Sequence, residues 1–111
     1  MESKRQQRIA RLLQKDLGEI FQHEAHNLTA GAMVTVTKVY VTSDLAISRV
    51  YLSIFGTEEK QDVLNKIREH GNAIKYKLGN RIRKQLRAVP SLEFYEDDSL
   101  DYIDNIERLL K

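Results

Sequence analysis

The 111-residue sequence has no cysteine, one proline and five glycines. Without cysteine there are no disulfides, thiolate metal sites, redox motifs or cysteine nucleophiles. So little proline and glycine excludes a loop-rich or collagen-like architecture. Long apolar runs are also missing: none exceeds three residues, too short to cross a bilayer. The polar amino terminus, Met-Glu-Ser-Lys-Arg-Gln-Gln-Arg, leads into no apolar stretch of leader-peptide type. What is present, 41% hydrophobic and 31% charged residues, reads as one globular domain over residues 1–111 with a modest core. A cytoplasmic domain without a cofactor or a membrane segment is expected.

The net charge is only +2, but the charges are sorted. Residues 66–87 hold eight basic side chains and one acid, Glu69. Residues 93–111 hold seven acids against Arg108 and Lys111. The first fifteen residues add Lys4, Arg5, Arg8, Arg11 and Lys15 against Glu2 alone. Such sorting predicts a dipolar surface whose positive pole suits a polyanion.

The apolar spacing predicts a first helix from about Ser3 to His26, with Ile9, Leu12, Leu13, Leu17, Ile20 and Phe21 on one stripe. At 100° per residue, Lys4, Arg8, Arg11 and Lys15 fall on the opposite side. Asn27 to Ala32, with Gly31, ends that helix. Met33–Val41 and Leu45–Phe55, rich in β-branched residues and split by Thr42-Ser43-Asp44, predict an antiparallel hairpin. Thr57, followed by Glu58 and Glu59, reads as a helix start. A second helical region is expected over about Glu58–Leu86, broken at His70-Gly71-Asn72, where glycine and asparagine favour left-handed backbone. Val89-Pro90 stops it. Leu92 and Phe94 mark a short third strand, and Asp98 or Ser99 a cap for a last helix with Leu100, Ile103 and Ile106 inward.

Parts for catalysis are few. His23 and His26 lie a helical turn apart beside Glu24, without the spacing of a metallopeptidase. The cluster Glu96-Asp97-Asp98 with Asp101 lacks the spaced ligands and central glycine of a calcium loop. No phosphate-binding glycine loop, nucleophile elbow or dinucleotide fingerprint occurs. Neither an enzyme nor a metal site is expected. The basic segment says more. On a helical wheel Ile74, Leu78, Ile82 and Leu86 share one side, and Lys77, Arg83, Lys84 and Arg87 the other, with Arg81 at its margin. Tyr76 lies among these cations. Spaced cations neutralise successive phosphates, and an exposed ring offers a base a stacking surface. A break free of bulky side chains at Gly71-Asn72 admits a sugar–phosphate backbone to the amides of a helix beginning there. A cationic helix face is commonly no more than solvated surface; two such faces, opposed by an acidic tail, favour RNA or DNA. The candidate contacts are Lys4, Arg5, Arg8, Arg11, Lys15, Gly71, Asn72, Lys75, Tyr76, Lys77, Arg81, Arg83, Lys84 and Arg87. The competing reading is a protein–protein adaptor using the acidic carboxyl-terminal helix or a sheet edge.

Three ordered blocks carry a resemblance. They are Arg5-Gln-Gln-Arg8-Ile-Ala10 with Leu13-Gln-Lys-Asp-Leu17; Met33-Val-Thr-Val-Thr37 with Ser43-Asp44-Leu45-Ala46 and Arg49-Val50-Tyr51; and Leu78-Gly79 through Val89-Pro90-Ser-Leu92-Glu-Phe94 to Asp97-Asp98-Ser99-Leu100. Together they resemble the ribosome-binding factor A family, over nearly the whole chain. The resemblance implies an α+β, type II KH-like fold with a three-stranded sheet, helices on one face, and the order α-β-β-α(kink)α-β-α. It implies a monomeric, non-catalytic ribosome biogenesis factor that binds the immature 30S subunit at its 16S rRNA. Late maturation and 5′-end rRNA processing, cooperation with an assembly GTPase, and a role in cold adaptation follow from the same likeness. In that family an Ala-x-Gly kink replaces the usual G-x-x-G loop; here His70-Gly71-Asn72 stands there, with glycine one place early. The Arg83–Arg87 segment is two residues longer than in relatives and is expected to extend the basic helix.

Overall fold

Ser3 starts the first helix because its hydroxyl accepts the Gln6 amide at 3.1 Å while the Gln6 side chain accepts the Ser3 amide at 2.8 Å. A computed structural model describes residues 2–29 and 31–97, and carries this helix, α1, over Lys4–His23. Ile9, Leu13, Leu17, Ile20 and Phe21 form its buried stripe. The helix ends before the expected His26. Ala25 is buried, and a separate turn, α2 (His26–Thr29), packs against α1 and the first helix after the hairpin. Gly31, at φ +84°, then reverses the chain into the sheet.

The hairpin forms, with β1 (Met33–Val41) antiparallel to β2 (Ile47–Phe55), which starts two residues after the expected Leu45. Its register slips between Val36 and Lys38, leaving Thr37 as an extra residue. That bulge keeps the valines inward. Val34 and Val36 face the helices before it, and Val39 and Val41 after it, so one inserted residue restores the alternation. In the connecting loop Leu45 adopts φ +62°, a left-handed conformation rare for a branched residue. A tight net holds it. The Thr42 hydroxyl donates to Asp44 at 2.7 Å, the Ala46 amide donates to the same carboxylate oxygen at 3.0 Å, and the Leu45 side chain packs on the core.

From β2 the chain enters α3 (Lys60–Glu69) and α4 (Gly71–Ile82), then β3 (Ser91–Glu96), which lies parallel to β2. Parallel neighbours need such a crossover. The sheet order is β1-β2-β3, with α1, α3 and α4 packed on one face around Val50, Leu52, Ile54 and Phe94. This is the α+β, KH-like arrangement expected from the sequence. The expected last helix lies outside the described residues.

Three local expectations are corrected. Thr57 is not the N-cap of α3: its hydroxyl accepts the Glu59 amide at 2.9 Å, which makes a turn ahead of the helix, and Glu59 occupies the cap. The break between α3 and α4 falls on His70 alone, at φ −99° and ψ 17°. Neither Gly71 nor Asn72 is left-handed; among the described residues positive φ is confined to Gly31, Leu45 and Gly56. The His70 amide still donates to the Lys66 and Ile67 carbonyls, and its own carbonyl accepts from Ile74, so backbone hydrogen bonds lead into and out of the bend. Finally, α4 stops at Ile82 instead of Leu86. The Gln85 and Leu86 amides share the Ile82 carbonyl, which tightens the last turn, and Leu86 is only half-buried.

Both sheet edges meet side-chain donors from the helices. Gln6 donates to the Val41 carbonyl at 2.9 Å, and Gln14 to those of Val36 and Thr37 at 3.2 and 3.3 Å. On the far edge Arg68 donates twice to the Phe94 carbonyl, at 3.0 and 2.7 Å. Occupied carbonyls cannot template another strand.

The hairpin net gives a pH signature. The Thr42 hydroxyl, and then the Ala46 amide, hold the Asp44 carboxyl below its ordinary 3.8. A depressed folded value stabilises the fold above the unfolded value, and the gain is lost as pH falls through the folded one. Asp44→Ala is therefore expected to melt earlier than the unsubstituted protein at neutral pH. The difference in melting temperature should stay constant down to about pH 3.8 and close below it.

Candidate nucleic-acid interface

The apolar stripe of α4, Ile74, Leu78 and Ile82, fixes the rotation of that helix. Half a turn away, Ala73, Tyr76, Lys77 and Asn80 face outward. Tyr76 is 72% exposed, so both ring faces are reachable. Two shallow grooves flank it. One, of about 500 Å³, lies toward α1 and is lined by Glu24, Ala73, Tyr76, Lys77, Asn80 and Arg81. The other, of about 480 Å³, lies toward the loop before β3 and includes Asn72, Lys75, Tyr76, Asn80 and Val89.

Asn72 is exposed at the start of α4, and Lys75 is half-buried beside it. Together with Gly71 and Arg68 they line a smaller groove of about 210 Å³ running to Ser91 and Leu92 on β3. A Cβ on Gly71 would meet Phe94 only at an ordinary 4.0 Å, so glycine is not sterically required there. What it provides is bare backbone at the bend. Arg83, Lys84 and Arg87, expected on the helix, stand exposed in the turn and loop that follow it. Lys75, Lys77, Arg83, Lys84 and Arg87 have no carboxylate partner among the described residues.

On α1 the expected outward face is exposed: Lys4, Arg5, Arg8, Arg11 and Lys15 all reach solvent, again unpaired among the described residues. The two cationic faces do not merge, however. An acidic seam, Asp16 and Glu19 of α1 and Glu24 at its C-cap, faces α4, and Arg81 of α4 is drawn into it. Its Nε lies 3.0 Å from Asp16, its Nη2 pairs with Glu19, and its Nη1 lies 4.0 Å from Glu24. Arg81, expected to face a phosphate, is a strut between helices. Glu24 lies beside the first turns of α4 and Asp16 beside Arg81, so the helices run antiparallel. The basic half of α1 therefore extends toward the Arg83–Arg87 loop.

Two residues of this surface stand outside the sequence-derived set. Asn80, which the helical wheel puts on the polar side with Tyr76 though it is not among the candidate contacts, lines both grooves beside that ring. Arg68 joins the bend to the edge of β3, and nothing in its sequence context marks that edge.

The family model for ribosome-binding factor A matches residues 5–110. The chain belongs to that family. It is 44% identical over 111 residues to ribosome-binding factor A of Christiangramia forsetii, covering 99% of this chain and 85% of the relative. It is 46% identical to that of Flavobacterium psychrophilum with the same coverage. Among solved structures, the crystal structure of ribosome-binding factor A from Thermus thermophilus superposes with a TM-score of 0.67 at 23% identity, covering 82% of this chain and 94% of that one. A Thermus thermophilus homology model, fitted into a cryo-electron microscopy map of a 30S complex of that protein, gives 0.62 at 25% identity, covering 78% and 89%. The family fold is thus the α+β, KH-like one described above, with its bend here at His70.

The strut assignment separates Arg81 from its cationic neighbours. Arg81→Met is expected to lower unfolding stability by about 1 kcal/mol, measured by urea titration, because a small ion-pair network is lost while the side-chain packing is kept. Affinity for an RNA fragment should stay within about twofold of the unsubstituted protein; a tenfold loss would make Arg81 a phosphate ligand.

Proposed function

We propose that this protein binds the immature small ribosomal subunit at its 16S rRNA and acts there as a non-catalytic assembly factor. In this reading it supports late maturation and 5′-end processing of that RNA. It works in the cytoplasm as a single monomeric domain beside an assembly GTPase, and is needed most in the cold. The observation that carries the reading is the set of unpaired cations around Tyr76 among the described residues: half-buried Lys75 and exposed Lys77 on α4, then exposed Arg83, Lys84 and Arg87 in the loop. Unpaired cations at helical and loop spacing suit successive phosphates, and an open ring among them suits an unstacked base. The Thermus thermophilus relative fitted into a 30S complex supports the same partner. The adaptor reading loses support at the sheet edges, where carbonyls of Val36, Thr37, Val41 and Phe94 are already taken. Its other element, the acidic carboxyl-terminal helix, lies outside the described residues.

Charge reversal tests the surface. The triple variant Lys77→Glu, Lys84→Glu, Arg87→Glu is expected to lose cosedimentation with immature small subunits at least tenfold, since each reversal both removes a phosphate contact and adds repulsion. Its circular dichroism spectrum should be unchanged, because all three side chains are exposed. Undiminished cosedimentation would refute the assignment.

A further inference from the structure

The described helices cover one face of the sheet and leave the other to be explained. Alternation puts Lys38 and Tyr40 of β1, Arg49 and Tyr51 of β2, and Glu93 and Tyr95 of β3 on that outer face. The register aligns them in two rows, Tyr40–Arg49–Glu93 and Lys38–Tyr51–Tyr95. We propose that this outer face is a second RNA contact, on which bases of a single strand stack against Tyr40, Tyr51 and Tyr95 while Lys38 and Arg49 meet its phosphates.

The chemistry of the two rows favours that partner. None of the six residues is aliphatic. The same alternation adds Met33, Ile47 and Phe55 at the ends of β1 and β2, but the two middle rows present flat rings and cations. Tyr51 and Tyr95 are stacked, with centroids 5.5 Å apart and planes at 29°. The Arg68 guanidinium lies 6.0 Å from the Tyr95 centroid and that of Arg49 lies 5.7 Å from the Tyr40 centroid. Arg68, Tyr95 and Tyr51 thus form a column to which a base can be added, and sequence-tolerant stacking on such platforms is a common way of holding single strands.

Charge points the same way. Among the described residues two acids by this face are engaged: Glu93 accepts the Tyr95 hydroxyl at 2.9 Å and lies 3.7 Å from Arg49, and Asp97 accepts the Thr37 hydroxyl at 2.7 Å. Lys38 is exposed without a partner among the described residues. The face is also continuous with the helical surface. A groove of about 310 Å³ runs from Gly71 at the bend past Arg68 to Tyr95. A strand leaving α4 at the bend can pass over Arg68 onto the sheet. The inference takes its ligand class from the RNA-binding reading, but its surface is a different one.

The test uses the full chain and a fluorescent single-stranded oligouridine, read by anisotropy. Replacing both Tyr51 and Tyr95 by Leu is expected to weaken binding about 5- to 150-fold, the span for one stacked base, while replacing both by Phe should stay within about twofold. Cross-links from a 4-thiouridine-substituted strand to the unsubstituted protein should appear on β2 or β3 as well as α4; this readout does not depend on the Leu variant folding. The inference is overturned if the Leu variant binds like the unsubstituted protein, or if cross-links are confined to α4. It is also overturned if the Leu variant loses small-subunit binding but keeps oligouridine binding, which would assign the face to a ribosomal protein. The Lys77, Lys84 and Arg87 reversal serves as the comparison. If it alone weakens oligouridine binding, the helical reading stands and the sheet inference fails; if neither variant does, both fail.

Discussion

The described helices bury one face of the three-stranded sheet, and the apolar layer made there governs the rest of this molecule. Leu13, Leu17 and Ile20 from α1, Ile67 from α3, and Ile74, Leu78 and Ile82 from α4 meet Val41, Val50, Leu52 and Ile54 with essentially no exposure. Burial of each such side chain is worth roughly 1.5–3 kcal/mol, far more than any surface ion pair can contribute. The layer therefore sets the rotation of each helix, and the rotation decides which side chains face outward. Lys4, Arg8, Arg11 and Lys15 point away from the sheet because Leu13 and Leu17 point into it. Lys77 and Tyr76 are outward for the same reason.

The same layer leaves two strand edges, and their protection draws on polar residues that look unremarkable in the sequence. Gln6 caps α1 through Ser3 and also holds the Val41 carbonyl. Arg68 closes the β3 edge and leans on Tyr95. Arg81 is consumed by the seam between α1 and α4. The cations that remain, in the first half of α1 and around the end of α4, are those for which the described residues supply no carboxylate. A fold that compensates Arg81 but leaves Lys77, Lys84 and Arg87 alone keeps a field for a partner of opposite charge.

Much of this was legible in the residues. The bounds of β1, the inward stripes of α1 and α4, and the break near His70 follow from spacing and from backbone preference. The bulge at Thr37 was present as a change of parity, from Val34 and Val36 to Val39 and Val41, but a shift of one residue is visible only once the partner strand is known. Arg81 could not be told from Lys77 by a wheel, because its role depends on three carboxylates of another helix. The left-handed Leu45 had no sequence signal: residue preference argues against it, and only the Thr42–Asp44 net and the packing of its side chain overrule that preference. Where α4 stops depended on how far the sheet offers it a surface, which periodicity does not report.

Family membership names a ribosome-binding factor, and the proposed way of holding the subunit is phosphate neutralisation on an outward helix and loop rather than an apolar socket. The salt dependence of binding to immature small subunits tests that claim most directly. Neutralising several phosphates requires the logarithm of the association constant to fall linearly with the logarithm of salt concentration, by about 0.7 per phosphate for a single strand. Three contacts then give a slope of about −2. A slope near zero would mean that these cations only face water, and would contradict the account.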